Sequence, residues 1–322
     1  MINVSILSLN RANLASIADA RQSFIMVNEL LRNEGKQPKF NIKLVGLSKD
    51  VVLSNGSFSI HTDAIINEEK PNLIIIPSMT GDMMSATHQN REFAIWIAQQ
   101  YKDGAEVASL CVGAFLLAFS GILKGKQCTT HWLYANEFRH FYPTVKLLDE
   151  KVITDQNGIY SSGGNNAYWN LLIYLIEKYT DRKIAIHAAK YFVVDIDKNI
   201  QSPFIIFHGL KDHEDESIRK AQDYIEQNYW KKFIVEKISN KFNLTRRTFE
   251  RRFKKATRHT VIEYIQRVKV EATKKQLEVG RKSVNEIMYS VGYADIQSYR
   301  EIFKKITGMT PIEYRNKYNR EI

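Results

Sequence analysis

A block of twelve residues occurs twice in this chain, at 253–264 and again at 303–314, with eight positions identical. Phe253, Lys254, Lys255, Thr257, Thr260, Ile262, Glu263 and Tyr264 return as Phe303, Lys304, Lys305, Thr307, Thr310, Ile312, Glu313 and Tyr314. Each copy follows a short segment of helical apolar spacing, a tight turn and a basic segment. The last third is therefore expected to fold as one two-helix device built twice.

In the first copy, Ile234, Ile238 and Phe242 recur every four residues and predict one apolar face. Asn243 suits a left-handed turn, and Thr245 is placed to cap the next helix. If Phe249, Phe253 and Ala256 point inward there, Arg246, Arg247, Glu250, Arg251 and Lys254 point outward. In the second copy, Ser283 and Glu286 have capping-box spacing, Val284, Ile287 and Val291 form the buried face, and Gly292 supplies the turn. Asp295 then caps a helix that buries Tyr299, Phe303 and Ile306. Its outward face holds Ile296, Gln297, Arg300, Glu301 and Lys304, each fifty residues after its counterpart. Between the copies, residues 261–279 predict a 19-residue helix, about 28 Å long. Two helices held by such a rod could enter successive major-groove segments about 34 Å apart. Arginine suits guanine there, glutamine adenine, glutamate the cytosine amino group, and isoleucine the thymine methyl.

Charge placement agrees with that reading. The net charge is +11, and residues from 211 onward hold 26 Lys+Arg against 16 Asp+Glu, while the first 210 hold 20 against 19. Nearly all the excess positive charge sits in the repeated third, as displacement of counterions from phosphates requires. A merely soluble, lysine-rich helical surface would carry the same charge.

Residues 1–207 read differently. Apolar runs at 2–9, 42–47, 73–77 and 106–111 alternate with helical patterns at 15–32, 91–100, 112–119 and 166–179, which predicts a mostly parallel sheet covered by helices on both faces. Asn157-Gly158 predicts an added hairpin. A polar stretch, 208–216, is expected to link this domain to a helical domain at 217–322, with Glu214, Asp215 and Glu216 favouring a helix amino terminus. With 322 residues, 44% of them hydrophobic, there is material for two cores. No apolar run is long enough to span a bilayer and no signal segment opens the chain, so a cytoplasmic protein without membrane attachment is expected. Cys111 and Cys128 are the only cysteines. They lack metal-ligand spacing, and no cofactor or metal is expected.

Cys111 ends a strand-like run and Val112 opens a helix. A cysteine on such a turn sits near a helix amino terminus that can lower its pKa; a buried structural cysteine explains the same residues. His131 is a candidate partner, or else a packed histidine beside Trp132. A ligand pocket at the carboxyl ends of the strands would be lined by Cys111, Val112, His131, Gly163 and Gly164, with Ser78 and Met79 nearby.

The motif Leu244-Thr245-Arg246-Arg247-Thr248-Phe249-Glu250-Arg251-Arg252-Phe253, the Gly292-Tyr293-Ala294-Asp295 turn, and Gly308-Met309-Thr310-Pro311 through Arg315 resemble the AraC/XylS transcription regulators over roughly residues 214–322. The resemblance implies paired helix-turn-helix units joined by a linker helix, with base-contacting positions at Arg247, Glu250, Arg251, Ile296, Gln297 and Arg300. Ser109-Leu110-Cys111-Val112-Gly113-Ala114, with Gly121, Gly125, Thr129-Thr130-His131-Trp132 and Ser161-Ser162-Gly163-Gly164, is similar to the PfpI branch of the class I glutamine amidotransferase-like superfamily. That implies a flavodoxin-like α/β sandwich with a cysteine at the elbow. The domain order is that of GlxA-type regulators, whose amino-terminal domain is thought to sense a ligand. By this alignment the carboxylate that catalytic members bring from the first strand-helix connection falls at Ser16, with Asp19 nearby but differently placed, and catalysis is not expected.

The expected protein is thus an α/β flavodoxin-like sandwich followed by an all-α domain with two helix-turn-helix units. It would bind double-stranded promoter DNA through Arg246, Arg247, Glu250, Arg251, Lys254, Ile296, Gln297, Arg300 and Lys304, with an amino-terminal domain that senses a small-molecule effector or mediates dimerisation, and act as a homodimer. The competing expectation is a Cys111-dependent PfpI-type hydrolase or amidase tethered to DNA by its basic tail, with His131 as partner. A third is a nucleoid protein without sequence preference.

Overall fold

The computed structural model describes residues 1–53, 56–196, 199–211 and 213–319. It divides into two compact units, Met1–Gln201 and Ser202–Ile322.

The first unit holds strands β1 (Ile2–Leu7), β2 (Phe40–Gly46), β3 (Asp50–Leu53), β4 (Phe58–His61), β5 (Ala64–Ile65), β6 (Leu73–Ile76), β7 (Glu106–Ser109), β8 (Gln127–Cys128), β9 (Lys146–Leu147), β10 (Ile153–Gln156) and β11 (Ile159–Ser162). Its helices are α1 (Leu14–Asn33), α2 (Met83–Gln89), α3 (Arg91–Lys102), α4 (Ala114–Phe119), α5 (Ala135–Phe141), α6 (Ala167–Tyr179) and α7 (Arg182–Tyr191). Seven strands form one sheet in the order β10-β11-β7-β6-β1-β2-β5. All its neighbours are parallel except β10 and β11. Register is set by pairs such as Val4 with Ile42, Val4 with Leu73, and Ile74 with Val107. Every residue of β6 is buried, which is why that strand reads as an unbroken apolar run: helices cover a parallel sheet on both sides. One group of helices is α1, α6 and α7, and another is α2, α3 and α4. The Asn157-Gly158 turn has φ of 55° and 74° and closes the β10–β11 hairpin, the positive-φ pair that a two-residue hairpin loop requires. The β3–β4 hairpin, α5 and α7 had no clear signature in the sequence.

The second unit is helical: α8 (Glu216–Gln227), α9 (Val235–Lys241), α10 (Arg246–Thr257), α11 (Val261–Val279), α12 (Val284–Ser290), α13 (Ile296–Thr307) and α14 (Pro311–Tyr318). The boundaries follow local capping chemistry. Thr245, Asp295 and Ser283 accept from the backbone of α10, α13 and α12, while Thr260 with Glu263 and Thr310 with Glu313 form matching capping boxes. Asn243 has φ 54°. Phe249, Phe253, Tyr299 and Phe303 are buried as expected, Ala256 and Ile306 only in part. Ile234 departs from expectation: it precedes α9 and is 49% exposed.

The unit boundary differs from the one placed at 207, and the stretch 208–216 is more than a tether. Phe207 packs on Tyr264 with ring centroids 5.2 Å apart, and Lys274 donates to the Ile205 carbonyl at 2.6 Å. Gln222 donates to the Leu210 carbonyl, and Lys211 pairs with Asp223 and Glu226. Asp215 caps α8 and accepts two hydrogen bonds from Arg252, at 2.8 and 2.6 Å. A polar stretch reads as solvated linker when its partners, some of them more than thirty residues away, are not in view.

Candidate functional site

In the second unit the two copies present matching surfaces. Along α10, Arg246, Arg247, Arg251 and Lys254 are exposed and Glu250 is half-buried. Along α13, Gln297, Arg300, Glu301 and Lys304 are exposed and Ile296 is half-buried. Phe249, Phe253 and Thr257 on one helix, and Tyr299, Phe303 and Thr307 on the other, anchor the opposite sides. Each surface is braced by one pair across a helical turn: Arg246 to Glu250 at 3.1 Å, and Gln297 to Glu301 at 3.1 Å. Arg252 lies off this surface and holds Asp215, and the guanidinium keeps that carboxyl below the usual aspartate range. Beside the start of α13 a groove of about 360 Å³ opens between Asn285, Tyr289, Asp295 and Arg300. Tyr289 is 65% exposed. Neither Asn285 nor Tyr289 stood out in the sequence; an aromatic on the solvent side of a short helix was the available signal.

In the first unit Cys111 sits where expected, on the turn between β7 and α4. The turn is a short 3-10 segment, Cys111–Gly113, and the cysteine itself has φ 56°, a conformation costly for a residue with a Cβ. Gly113 allows the turn to lie against β6, since a Cβ there would stand 2.6 Å from the Pro77 carbonyl oxygen. The backbone N–H of Cys111 donates to Ser162 Oγ, and its thiol donates to Asn165 Oδ1 at 3.4 Å.

The electrostatics at this elbow oppose a thiolate. Cys111 is 1% exposed, and burial pushes its thiol up to about 11, outweighing the Ser78 hydroxyl and the Val112 N–H that act the other way. Ser16, at the position aligned with a catalytic carboxylate, is buried: its hydroxyl donates to the Asn13 carbonyl at 2.7 Å and accepts from the Ser78 N–H at 3.0 Å. Asp19 accepts from the Tyr168 hydroxyl at 2.6 Å, and burial first, then that aspartate, push the tyrosine hydroxyl up. His131 accepts the Leu133 N–H on Nδ1 at 3.1 Å and lies beside Trp132 and Tyr134. Burial lowers its pKa, which keeps it neutral. Among the described residues no hydrogen bond joins His131 to Cys111.

Of the pocket residues named from sequence, Cys111, Val112 and Gly163 are buried, while His131 and Gly164 are partly exposed. The structure does bring His131 and Gly164 together: a Cβ on Gly164 would stand 3.3 Å from the imidazole Cδ2. Gly163 packs on Gln201, whose amide accepts from the Gly164 N–H and donates to the Thr130 and Lys151 carbonyls. Asn165, Tyr168 and Gln201 complete this end of the sheet. They were not found from sequence because each reaches it through a contact with residues far along the chain.

Comparison with known proteins bears on both units. The DJ-1/PfpI family matches residues 24–178, and a helix-turn-helix domain family matches residues 238–317. The HTH-type transcriptional regulator GbdR of Pseudomonas aeruginosa is 22% identical over 317 residues, covering 97% of this chain and 84% of that protein. This chain is a DNA-binding transcription regulator, with a DJ-1/PfpI domain followed by a helix-turn-helix domain. The HTH-type transcriptional regulator ArgR of the same species is 23% identical over 221 residues, 68% of this regulator and 67% of the relative. For the α/β unit, a solved THiJ/PfpI family protein from Pseudomonas syringae superimposes with a TM-score of 0.51 at 15% identity, covering 70% of the regulator and 86% of that chain. This likeness identifies the flavodoxin-like fold of the first unit. Among the described residues no helix is long and apolar enough to cross a membrane.

Proposed function

We propose that the regulator reads an asymmetric promoter site with α10 and α13, and that its DJ-1/PfpI domain senses a small molecule without turning it over. The observation that carries the first part is the pair of matching exposed faces. Arg246, Arg247, Glu250, Arg251 and Lys254 form one reader, and Ile296, Gln297, Arg300 and Lys304 the other. Three arginines dominate α10, while α13 offers one arginine with an amide and an apolar side chain, so the two halves prefer different base pairs. Selection of bound duplexes from a random pool tests this. A two-part, non-palindromic consensus is expected, and equal affinity for all duplexes at matched salt would overturn it.

The non-catalytic reading of the first unit is supported by the protonated, buried Cys111, by Ser16 in place of a carboxylate, and by a neutral His131 bonded elsewhere. A nucleophilic cysteine needs a thiolate and a base within reach. In this proposal Cys111, Val112, His131, Gly163 and Gly164 belong to an effector site at the carboxyl ends of the parallel strands. A ligand there shifts the population of arrangements in a cytoplasmic homodimer. Repeating the selection with and without a metabolite library tests the sensing; identical consensus and affinity in every case would remove it.

A further inference from the structure

The helical unit has separate apolar cores, and α11 serves both. Val261, Tyr264 and Val268 join Ile218, Ile225, Phe249 and Phe253 in the first half. Val270 and Leu277 join Ile287, Phe303 and Tyr314 in the second. Between Val268 and Val270 lies Lys269, which is 5% exposed.

Its ammonium donates to the carbonyls of Lys231 at 3.2 Å, Val291 at 2.6 Å and Gly292 at 3.3 Å. Three donors therefore meet three backbone acceptors; Val291 and Gly292 directly follow α12, where carbonyls are unpaired and carry partial negative charge, and Lys231 lies in the turn after α8. Lys231 follows α8, in the first half; Val291 and Gly292 follow α12, in the second. The same place holds a direct backbone approach. A Cβ on Gly292 would stand 2.1 Å from the Trp230 carbonyl oxygen, and Tyr229 packs against the cores of both halves. Burial lowers the Lys269 ammonium to about 8, which leaves it charged at neutral pH.

The repeat shows what is unusual here. Fifty residues on, the counterpart of Lys269 is Asn319. Asn319 donates to the Leu277 and Gly280 carbonyls, both at 3.0 Å, so it ties the end of α14 to the end of α11 within its own half. Lys269 makes the equivalent tie to Lys231 and then reaches across to the other half. A short neutral amide suffices for the first task alone.

We propose that Lys269 is a specificity-determining joint, fixing the offset between the two reading helices and hence the number of base pairs that must separate the two parts of the DNA site. This rests on the promoter-reading proposal above. Besides α11, the Tyr229 packing and the Trp230–Gly292 approach, Lys269 adds hydrogen bonds from one ammonium to the backbone of both halves. With it, inserting a base pair displaces and rotates one part of the site away from a reader that cannot follow.

The test uses the full chain and the duplex it selects, with one or two base pairs inserted or removed between the two parts, and each part alone. For the wild type a one-base-pair change is expected to weaken binding roughly tenfold or more. Lys269→Asn, which installs the second half's own solution, should reduce that penalty to under about threefold while affinity for each isolated part stays unchanged. Equal strictness in a folded Lys269→Asn protein overturns the proposal, as does a wild type indifferent to spacing. A wild type that selects no two-part site overturns the promoter reading instead. Should Lys269→Asn not fold, Lys269→Gln carries the same expectation. Spin labels at Lys237→Cys and Lys305→Cys provide a separate readout: one narrow distance distribution in the otherwise wild-type chain supports the joint, and a broad one overturns it.

Discussion

The two units use polar side chains in opposite ways. At the elbow of the α/β unit, Cys111, Ser16 and Ser78 are buried and bonded to neighbours, and the Tyr168 hydroxyl is held by Asp19. On α10 and α13 the arginines and lysines of the proposed reading surfaces stand in solvent, braced by one pair each. A surface that meets phosphates must keep its charges accessible, because counterion release is its driving force. A reactive thiol needs partial access too, plus neighbours that stabilise negative charge enough to overcome burial; Cys111 is buried, and Ser78 and Val112 do not outweigh that. The contrast separates a surface that keeps its charges accessible from an elbow whose thiol is buried and protonated.

The comparison can be broken or sharpened by substitution, and the largest effect is expected where a reading half has no slack. Gly292→Ala places a methyl against the Trp230 carbonyl at a residue with φ 77°, and should cost about 3 kcal/mol or more of stability in urea unfolding followed by circular dichroism. A smaller loss would mean that the two halves yield to each other easily. Next come Arg251→Ala and Gln297→Ala, each expected to relax preference by about 1–3 kcal/mol at base pairs roughly one helical turn apart, without altering the melting temperature. Loss at the same base pairs would show that the two faces do not read separate segments.

Asp215→Asn should have a smaller effect, about 1 kcal/mol, because its pair with Arg252 is partly exposed. The sign is fixed by linkage. The folded-state pKa of Asp215 lies below its ordinary value of 3.8, so the stabilisation is present above that pH and lost as pH falls further. Acid titration of unfolding should show wild type and variant converging below pH 3.8, and a constant gap would exclude the ion pair as the cause. The smallest effect is expected at the elbow: Cys111→Ala should bind the selected DNA like the wild type. In a Cys128→Ala background, alkylation of Cys111 should accelerate with pH up to about 11. An inflection near neutral pH would reveal a thiolate and revive the hydrolase reading.

Much of the helical unit was legible because its determinants are local. Thr245, Thr260, Ser283, Asp295 and Thr310 each cap the helix that follows, and α11 spans Val261–Val279, as its apolar spacing predicts. The outward faces followed from helical geometry once Phe249, Phe253, Tyr299 and Phe303 were assigned inward. The parallel sheet was legible from its short apolar runs, of which β6 is wholly apolar, and the β10–β11 turn from Asn157-Gly158. The elbow was legible only as a place. Whether Cys111 would be a thiolate depended on its burial, with the distant Ser78 acting the other way, and nothing in the sequence near the cysteine announces either.

By itself the sequence determined the duplication, the caps, the outward faces, the sheet class and the charge asymmetry, since each arises from residues within a few positions of one another. Tertiary structure alone decided that Asp19 would be occupied by Tyr168, 149 residues away, that residues 202–211 would pack with the helices, and that Lys269 would reach carbonyls on both halves. Helical periodicity marks Lys269 only as one position on a rod. Its partners are set by how the chain folds back on that rod, which places the turn after α8 and the end of α12 on either side of a single buried ammonium.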